Sequence, residues 1–308
     1  MDPADRLLAL AEQRIAHGQS DGAIDALRQL LGEVPDHAAA HALLAAVLID
    51  KKRLHAARHE AGLALAADPE LEFAHFVSGR VALARRQFDE AEERFEHLRS
   101  LNPTKPAYHR ELATLHTLRG ADAKALPLLE QALALDPEDP ATLADLASYW
   151  EARRDFDRAE GYARAALNVD PEHLDAIVVM GQVHLGRGDL DTARAHAAWA
   201  LGNDPSHTPA LHLLAMIKAR RSPVIGIWWR YNAWMSGLGS TRAILVLLGA
   251  FLVYRLADIT VGAMGHPDAA RVIEWVWLGI VAYTFFGPVL FQRALQKELA
   301  QVRLSREF

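Results

Sequence analysis

Histidine is the side chain with the greatest capacity for chemistry here, because the chain has 15 histidines and no cysteine. His37 and His41 lie four residues apart, as do His55 and His59, and such pairs share one face of a helix. A zinc site usually requires three or four converging ligands, and each pair supplies only two. We therefore expect these histidines to be packing or surface residues, and the alternative of a metal site is not favoured.

The sequence carries no motif of a known catalytic site. The dipeptide His59-Glu60 lacks the second histidine that a metalloprotease motif places four residues after the first. Phosphate-binding glycine loops, nucleophile elbows and dinucleotide fingerprints are also absent. The carboxylate pair Glu92-Glu93 falls on a helix face that we predict to be solvated. We therefore predict no catalytic residues, no cofactor and no enzymatic activity.

A period of 34 residues organises most of the chain. Prolines recur at this interval: Pro35, Pro69, Pro103, Pro137, Pro171 and Pro205. Alanines stand 12 positions before these prolines: Ala23, Ala57, Ala91, Ala125, Ala159 and Ala193. Alanine or glycine stands 24 positions before them: Ala11, Ala45, Gly79, Ala113, Ala147 and Gly181. Small residues at all twelve places indicate a repeated structural unit.

Each unit is predicted to be a helical hairpin. Small residues allow two helices to approach closely, where a larger side chain would hold them apart. A proline ends the second helix, because it lacks an N–H group and disfavours helical geometry in the residue before it. The turns between the helices contain Gly18 and Gly188, which can take a positive φ.

The period and these landmarks resemble the tetratricopeptide repeat family, whose repeat is 34 residues long. The resemblance implies an all-α, right-handed superhelix of helical hairpins. It covers a repeat array at residues 1–221, made of six repeats at about 4–37, 38–71, 72–105, 106–139, 140–173 and 174–207, with a capping helix at 208–221. The family favours a bulky aromatic residue 28 positions before each proline. This chain instead has Leu7, His41, His75, His109, Leu143 and Ile177.

The resemblance also implies a concave groove lined mostly by the first helix of each hairpin. It places these residues in the groove: Phe73, Phe76, Arg80, Arg110, Thr114, Ser148, Glu151 and Gln182. Their mixture of aromatic, cationic and hydrogen-bonding groups suits an extended peptide or a partner helix. The alternative is that they are ordinary solvated residues and that another surface binds. The Lys and Asn set that holds a C-terminal carboxylate in chaperone-binding members is missing.

Charge is divided unevenly along the chain. Residues 220–308 hold ten basic and five acidic side chains, and the remaining residues hold 23 basic and 34 acidic ones. Because the repeats are therefore strongly acidic, we do not expect them to bind nucleic acid. The N-terminus lacks the basic start and apolar run of a secretory signal, which favours a cytoplasmic array.

The composition changes at Ser222-Pro223, where the predicted array ends. Residues 222–240 are predicted to form an aromatic helix at the membrane interface, because indole and phenol rings favour the headgroup layer. The residues that suggest it are Trp228, Trp229, Tyr231 and Trp234. The alternative is a core helix that docks on the last repeat.

Two apolar segments of about 20 residues follow within 241–292, at about 242–261 and 272–291, and each is long enough to cross a bilayer. The short turn between them makes a transmembrane helical hairpin the predicted structure. Basic residues cluster before and after the hairpin, which favours a bacterial inner-membrane protein with both termini cytoplasmic. Residues 293–308 are predicted to be an amphipathic tail on the cytoplasmic side.

Three charged residues fall within these apolar segments. Arg255 and Asp258 are three residues apart and share a helix face, and folding the hairpin brings Glu274 to a similar depth. An unpaired charge in a bilayer costs about 2.5–3.5 kcal/mol or more, so the three are expected to form one cluster. We favour a structural pin for the hairpin or for an oligomer; the alternatives are an ion or proton relay and a partner-binding site.

These features predict a scaffold rather than an enzyme. The array is expected to bind a protein or peptide and the hairpin to confine it to a lipid bilayer, which raises the effective concentration of the partner. One alternative is an integral subunit of a membrane transport or envelope-assembly complex, whose hairpin contacts other membrane helices. Another is an accessory domain for an enzyme on a separate chain. A homo-oligomer is compatible with each of these.

Overall fold

The computed structural model describes residues 3–205, 207–221, 240–263, 268, 271–279 and 281. These residues contain no strand, so the described part of the fold is all-α. The helices are α1 Pro3–Ala16, α2 Ser20–Glu33, α3 Ala38–Asp50, α4 Leu54–Ala67, α5 Glu72–Ala84, α6 Phe88–Leu101, α7 Pro106–Leu118, α8 Asp122–Leu135, α9 Pro140–Ala152, α10 Phe156–Val169, α11 Leu174–Arg187, α12 Leu190–Asn203, α13 Thr208–Arg221 and α14 Ser240–Ala263.

The chain divides into two compact units, Met1–Val179 and Met180–Phe308. In the first unit, consecutive helices pair as antiparallel hairpins, and neighbouring hairpins pack against each other, for example α3 with α5 and α7 with α9. In the second unit, α12 packs against α13. The predicted hairpin architecture is therefore confirmed for the repeats.

The helix ends follow the repeat. Each second helix of a hairpin ends two residues before one of the spaced prolines, for example at Ala67 before Pro69. The residue in the tight turn has a left-handed φ in each hairpin, again at 34-residue intervals: Gly18, Lys52, Arg86, Gly120, Arg154 and Gly188. Glycine takes this conformation readily, whereas lysine and arginine are strained there.

The small residues form the contact surface between helices, which we call the seam. It consists of Ala11, Ala23, Ala45, Ala57, Gly79, Ala91, Ala113, Ala125, Ala147, Ala159, Gly181 and Ala193, and all twelve are buried. At Gly79, an added Cβ atom would lie 2.7 Å from Cε1 of the fully buried Phe95. The seam therefore leaves no space for a larger side chain at that position.

Three histidines occupy equivalent repeat positions and make the same hydrogen bond. The Nε2 atoms of His41, His75 and His109 lie 2.8, 2.8 and 3.0 Å from the carbonyl oxygens of Pro35, Pro69 and Pro103. A carbonyl only accepts, so Nε2 is the donor in each of these hydrogen bonds. These histidines tie the start of a hairpin to the turn that precedes it, and their side chains therefore have a structural role.

The described C-terminal residues are helical, but they do not show the predicted transmembrane hairpin. Helix α14 and residues 271–279 are helical, and the rings of Tyr254 and Trp277 stack with centroids 4.8 Å apart. Within the described residues, however, no helix combines the length and the hydropathy needed to span a bilayer. The predicted transmembrane hairpin is therefore not supported. The predicted interfacial helix, most of the second span and the amphipathic tail lie outside the described residues.

Candidate functional site

Two adjoining cavities open on the first unit. One has a volume of about 320 Å³ and is lined by Ile49, Arg80, Leu83, Ala84, Arg110, Glu111, Thr114, Leu118 and Asp145. The other has a volume of about 210 Å³ and is lined by Ala113, Thr114, Thr117, Leu118, Leu129, Asp145, Ser148, Tyr149, Ala152 and Arg153. Because they share Thr114, Leu118 and Asp145, we treat these residues together as one groove.

The groove is positioned by the first helices of successive hairpins. Helix α7 contributes Arg110, Thr114 and Leu118, which are four residues apart and therefore lie along one face. Helices α5 and α9 contribute Arg80 and Ser148 from the neighbouring hairpins. Stacking the repeats thus aligns equivalent helix faces, and their side chains form a continuous strip.

Ion pairs between hairpins form the polar end of the groove. Arg110 Nε lies 2.7 Å from Asp145 Oδ2, and Arg110 Nη1 lies 3.6 Å from Asp139 Oδ2. Arg80 Nε lies 3.5 Å from Glu111 Oε1. Two guanidinium groups are therefore shared among three carboxylates, of which Glu111 and Asp145 line the cavity and Asp139 lies behind Arg110, so acidic groups outnumber basic ones around this end of the groove.

Burial raises the pKa of both carboxyl groups that line this end. The pKa of Glu111 is raised by desolvation, against the opposing effects of Arg80 and Arg110. The pKa of Asp145 is raised by desolvation, against the opposing effect of Arg110 and with the help of Asp175 and Asp139. The arginines do not fully compensate for the removal of these carboxylates from water.

The other end of the groove is mostly apolar. Leu118 is 47% exposed, and Leu129 and Ala152 lie beside it in the cavity lining. The ring of Tyr149 is covered by Arg153, whose guanidinium carbon lies 3.3 Å from the ring centroid. Arg153 is itself paired with an acidic side chain of the preceding hairpin. This end can therefore receive an apolar side chain without facing an unpaired charge.

The structure brings together four of the residues predicted for the groove, namely Arg80, Arg110, Thr114 and Ser148. Of the others, Phe73 is 37% exposed on α5, whereas Phe76 is half-buried and packs against the core, with ring centroids 6.1 Å from Phe95 and 6.0 Å from Tyr108. Glu151 is half-buried on α9, and desolvation raises the pKa of its carboxyl group. Gln182 belongs to the second unit.

The sequence analysis missed the acidic residues of the groove. Glu111 follows Arg80 by 31 positions and Asp145 follows Arg110 by 35, and each pair joins two neighbouring hairpins. The same relation links Glu72 to Lys105 and Asp89 to Arg119. Opposite charges separated by about one repeat were the signal that could have identified these partners.

The remaining predicted site lies in the C-terminal segments. Arg255 Nη1 and Asp258 Oδ2 are 3.2 Å apart on α14. Glu274 is exposed and, within the described part of the chain, makes no ion pair with either. The predicted interface residues Trp228, Trp229, Tyr231 and Trp234 lie outside the described residues. The same described part contains no group of three or more His, Asp or Glu residues arranged to hold a metal ion.

Comparison with known families agrees with this architecture. Two family models, each described as a tetratricopeptide repeat, match residues 14–78 in one case and residues 76–140 and 144–208 in the other. The chain belongs to the tetratricopeptide repeat family. Its tetratricopeptide repeats account for the 34-residue period, the seam and the aligned first helices.

Solved structures show the same fold at low sequence identity. The Cut9–Hcn1 hetero-tetramer of the APC/C matches with a TM-score of 0.55 and 16% identity, over 70% of this chain and 42% of that one. Yeast Tom70 matches with a TM-score of 0.50 and 18% identity, over 65% of this chain and 43% of that one. The type IV pilus biogenesis factor PilW matches with a TM-score of 0.50 and 17% identity, over 68% and 98%. This chain spans less than half the length of the first two, and no curated protein matches its sequence.

Proposed function

We propose that this tetratricopeptide-repeat protein is a non-enzymatic scaffold that holds a segment of a partner protein in the groove of its first unit. The observation that carries the proposal is the pair of adjoining cavities, one polar and one apolar, on aligned first helices. A cleft that offers apolar surface beside a few oriented polar groups is the usual form of a binding site.

The packing of the array supports binding rather than chemistry. Each of the two groove arginines is held by an ion pair to a neighbouring hairpin, so the lining is preorganised and less side-chain entropy is lost on binding. The solved relatives include a protein described as part of a hetero-tetramer, which is compatible with a scaffold.

Substitution within the groove tests this proposal. Ala152 is exposed at the end of α9 and lines the apolar cavity, so Ala152→Trp should fill the cavity and leave the fold intact. We expect the partners captured by the intact chain to be lost with this variant. Ala134→Trp places the same side chain on an exposed position of α8 outside the groove lining and serves as the matched control. Equal capture by both variants would contradict binding in the groove.

We further propose that the C-terminal segment associates with a lipid bilayer. Helix α14 exposes a row of large apolar side chains: Leu245, Leu248, Phe251, Leu252, Val253, Leu256 and Ile259. Residues 271–279 expose Val272, Trp275, Val276 and Leu278. An apolar surface of this size requires a cover, and the basic residues near these segments favour an anionic lipid surface. The inner membrane of a bacterium, with both ends of the chain cytoplasmic, is the location that this charge distribution favours.

Vesicle flotation tests the membrane proposal with the full chain. Replacing both Leu252 and Leu256 with arginine puts two charges on one exposed face of α14, at a cost in the bilayer of about 2.5–3.5 kcal/mol each. We expect the intact chain to float with anionic vesicles and the variant to remain at the bottom. Leu101→Arg changes an equally exposed leucine of the repeats and should not affect flotation. An intact chain that fails to float would refute the proposal.

A further inference from the structure

The charges within the groove narrow the kind of segment that it can hold. The polar cavity is lined by Arg80 and Arg110 together with Glu111 and Asp145, and both arginines are already engaged by these carboxylates. Asp139 adds a third carboxylate against Arg110. An acidic ligand group would meet cations that are already neutralised and would be repelled by the carboxylate in excess.

The apolar cavity adjoins this acidic group directly. Asp145 lines both cavities, so a ligand side chain in the apolar cavity lies next to a carboxylate that also lines the polar cavity. On the apolar side, Leu118 presents an exposed surface that gains from contact with another apolar group. The groove therefore offers one apolar and one anionic subsite, side by side and on the same face of the array.

We infer that the groove selects a peptide segment that carries an apolar side chain next to a basic one, with the apolar side chain near Leu118 and the basic one near Glu111 and Asp145. This inference rests on the proposed scaffold function and specifies its ligand class. Three carboxylates share only two arginines at this end of the groove. Lysine or arginine in the polar subsite would supply the positive charge that balances the third carboxylate. An extended segment and a helical one differ only in the sequence spacing that brings the two side chains together.

The raised pKa values of Glu111 and Asp145 agree with this assignment. Desolvation disfavours their ionised forms, and a ligand cation would restore part of the lost stabilisation. A cation that binds next to a carboxylate favours the deprotonated form. Affinity for a basic segment should therefore be highest where both groups are ionised and should fall as the pH is lowered through their raised pKa values.

A peptide array probed with the full chain tests the inference. One position carries leucine, phenylalanine or alanine, a second carries lysine, glutamine or glutamate, and the spacing between them varies from one to four residues. We expect capture of peptides with leucine or phenylalanine beside lysine, and binding about tenfold or more weaker when glutamate replaces lysine. Asp145→Asn should reduce this preference for lysine. Glu130→Gln, which removes an exposed carboxylate of α8, should leave it unchanged.

The outcomes separate this inference from the proposed function. Capture that is abolished by Ala152→Trp but is equal for lysine, glutamine and glutamate would overturn the basic-segment inference and leave the groove as a binding site. A preference for glutamate would overturn it in the same way. Capture that is unaffected by Ala152→Trp, or no capture of any peptide, would overturn both. Helical circular dichroism of each variant shows that the array has folded.

Discussion

The seam and the groove of the first unit are built from the same helices but differ in residue type, in burial and in how closely they repeat from hairpin to hairpin. Seam positions are occupied by alanine or glycine in each hairpin and are buried. Groove positions change from one hairpin to the next, as Arg80 on α5, Thr114 on α7 and Ser148 on α9 show. The seam is repeated because every hairpin must pack in the same way, whereas the groove positions can vary because they line open cavities rather than a contact between helices.

This difference predicts that substitutions in the seam and its packing partners will alter stability, and that substitutions in the groove will alter binding. The strongest test is Phe95→Ala. Phe95 is completely buried against the seam glycine Gly79, so the truncation should lower the free energy of unfolding by about 3–5 kcal/mol. Thermal melts followed by circular dichroism measure the loss. Phe73→Ala, at a 37% exposed ring of α5, should have a much smaller effect.

The seam itself can be tested by adding a single methyl group. In Gly79→Ala the new Cβ would lie 2.7 Å from the ring of Phe95, and such overpacking costs about 1–3 kcal/mol. The gain in helix propensity of up to about 1 kcal/mol offsets only part of this cost. Gly62→Ala in α4 is the matched control, because an added Cβ there has no neighbour within 4 Å. Urea denaturation should show the first variant destabilised and the second stabilised.

Substitutions in the tight turns should change stability by a smaller amount, and the sign should differ between Lys52 and Gly120. Lys52 has a φ of 59°, where the left-handed conformation costs about 1–2 kcal/mol for a residue with a Cβ atom. Lys52→Gly should therefore stabilise the array by up to about 1 kcal/mol, since glycine entropy in the unfolded chain offsets part of the gain. Gly120→Ala, at a φ of 73° in the equivalent turn, should destabilise it by a similar amount. Two changes with the same sign in the denaturation midpoint would refute the turn assignment.

The sequence predicted the seam more fully than the groove because the two are specified differently. Ala57 and Gly79 are recognisable from spacing alone, since each repeats a position found in every hairpin. The turn strain at Lys52 was not predicted, although Gly18 in the equivalent position indicated the left-handed conformation. A period identifies the position and its backbone geometry, even where the residue type does not show it.

The groove was predicted only in part, because its contacts join residues from different repeats. Arg80 and Arg110 were identified as groove residues, but as cations available to a ligand. The structure pairs them with Glu111 and Asp145 on the following hairpins. Phe76 was assigned to the groove from its repeat position; its half-buried ring packs beside Phe95, and it does not line either cavity. Which neighbour a side chain contacts depends on packing between hairpins, which a single repeat position does not specify.

The smallest predicted effect is the change in stability on replacing the groove residue Glu111. This replacement should stabilise the array slightly, whereas the replacements at Gly79 and Phe95 should destabilise it. The pKa of Glu111 is raised in the folded chain by desolvation, so between its ordinary and its raised pKa the folded state binds more protons than the unfolded state. The contribution of this group to stability therefore falls as the pH rises through that interval.

The variant Glu111→Gln retains the shape of the side chain without its charge. It should match the wild type at acidic pH and become slightly more stable than the wild type towards neutral pH. Denaturation midpoints measured across that range, with Glu130→Gln as the surface control, provide the test. A variant that loses stability relative to the wild type as the pH rises would show that the ion pair with Arg80 outweighs desolvation. The groove would then be held together by its charges in the same way that the seam is held together by its small residues.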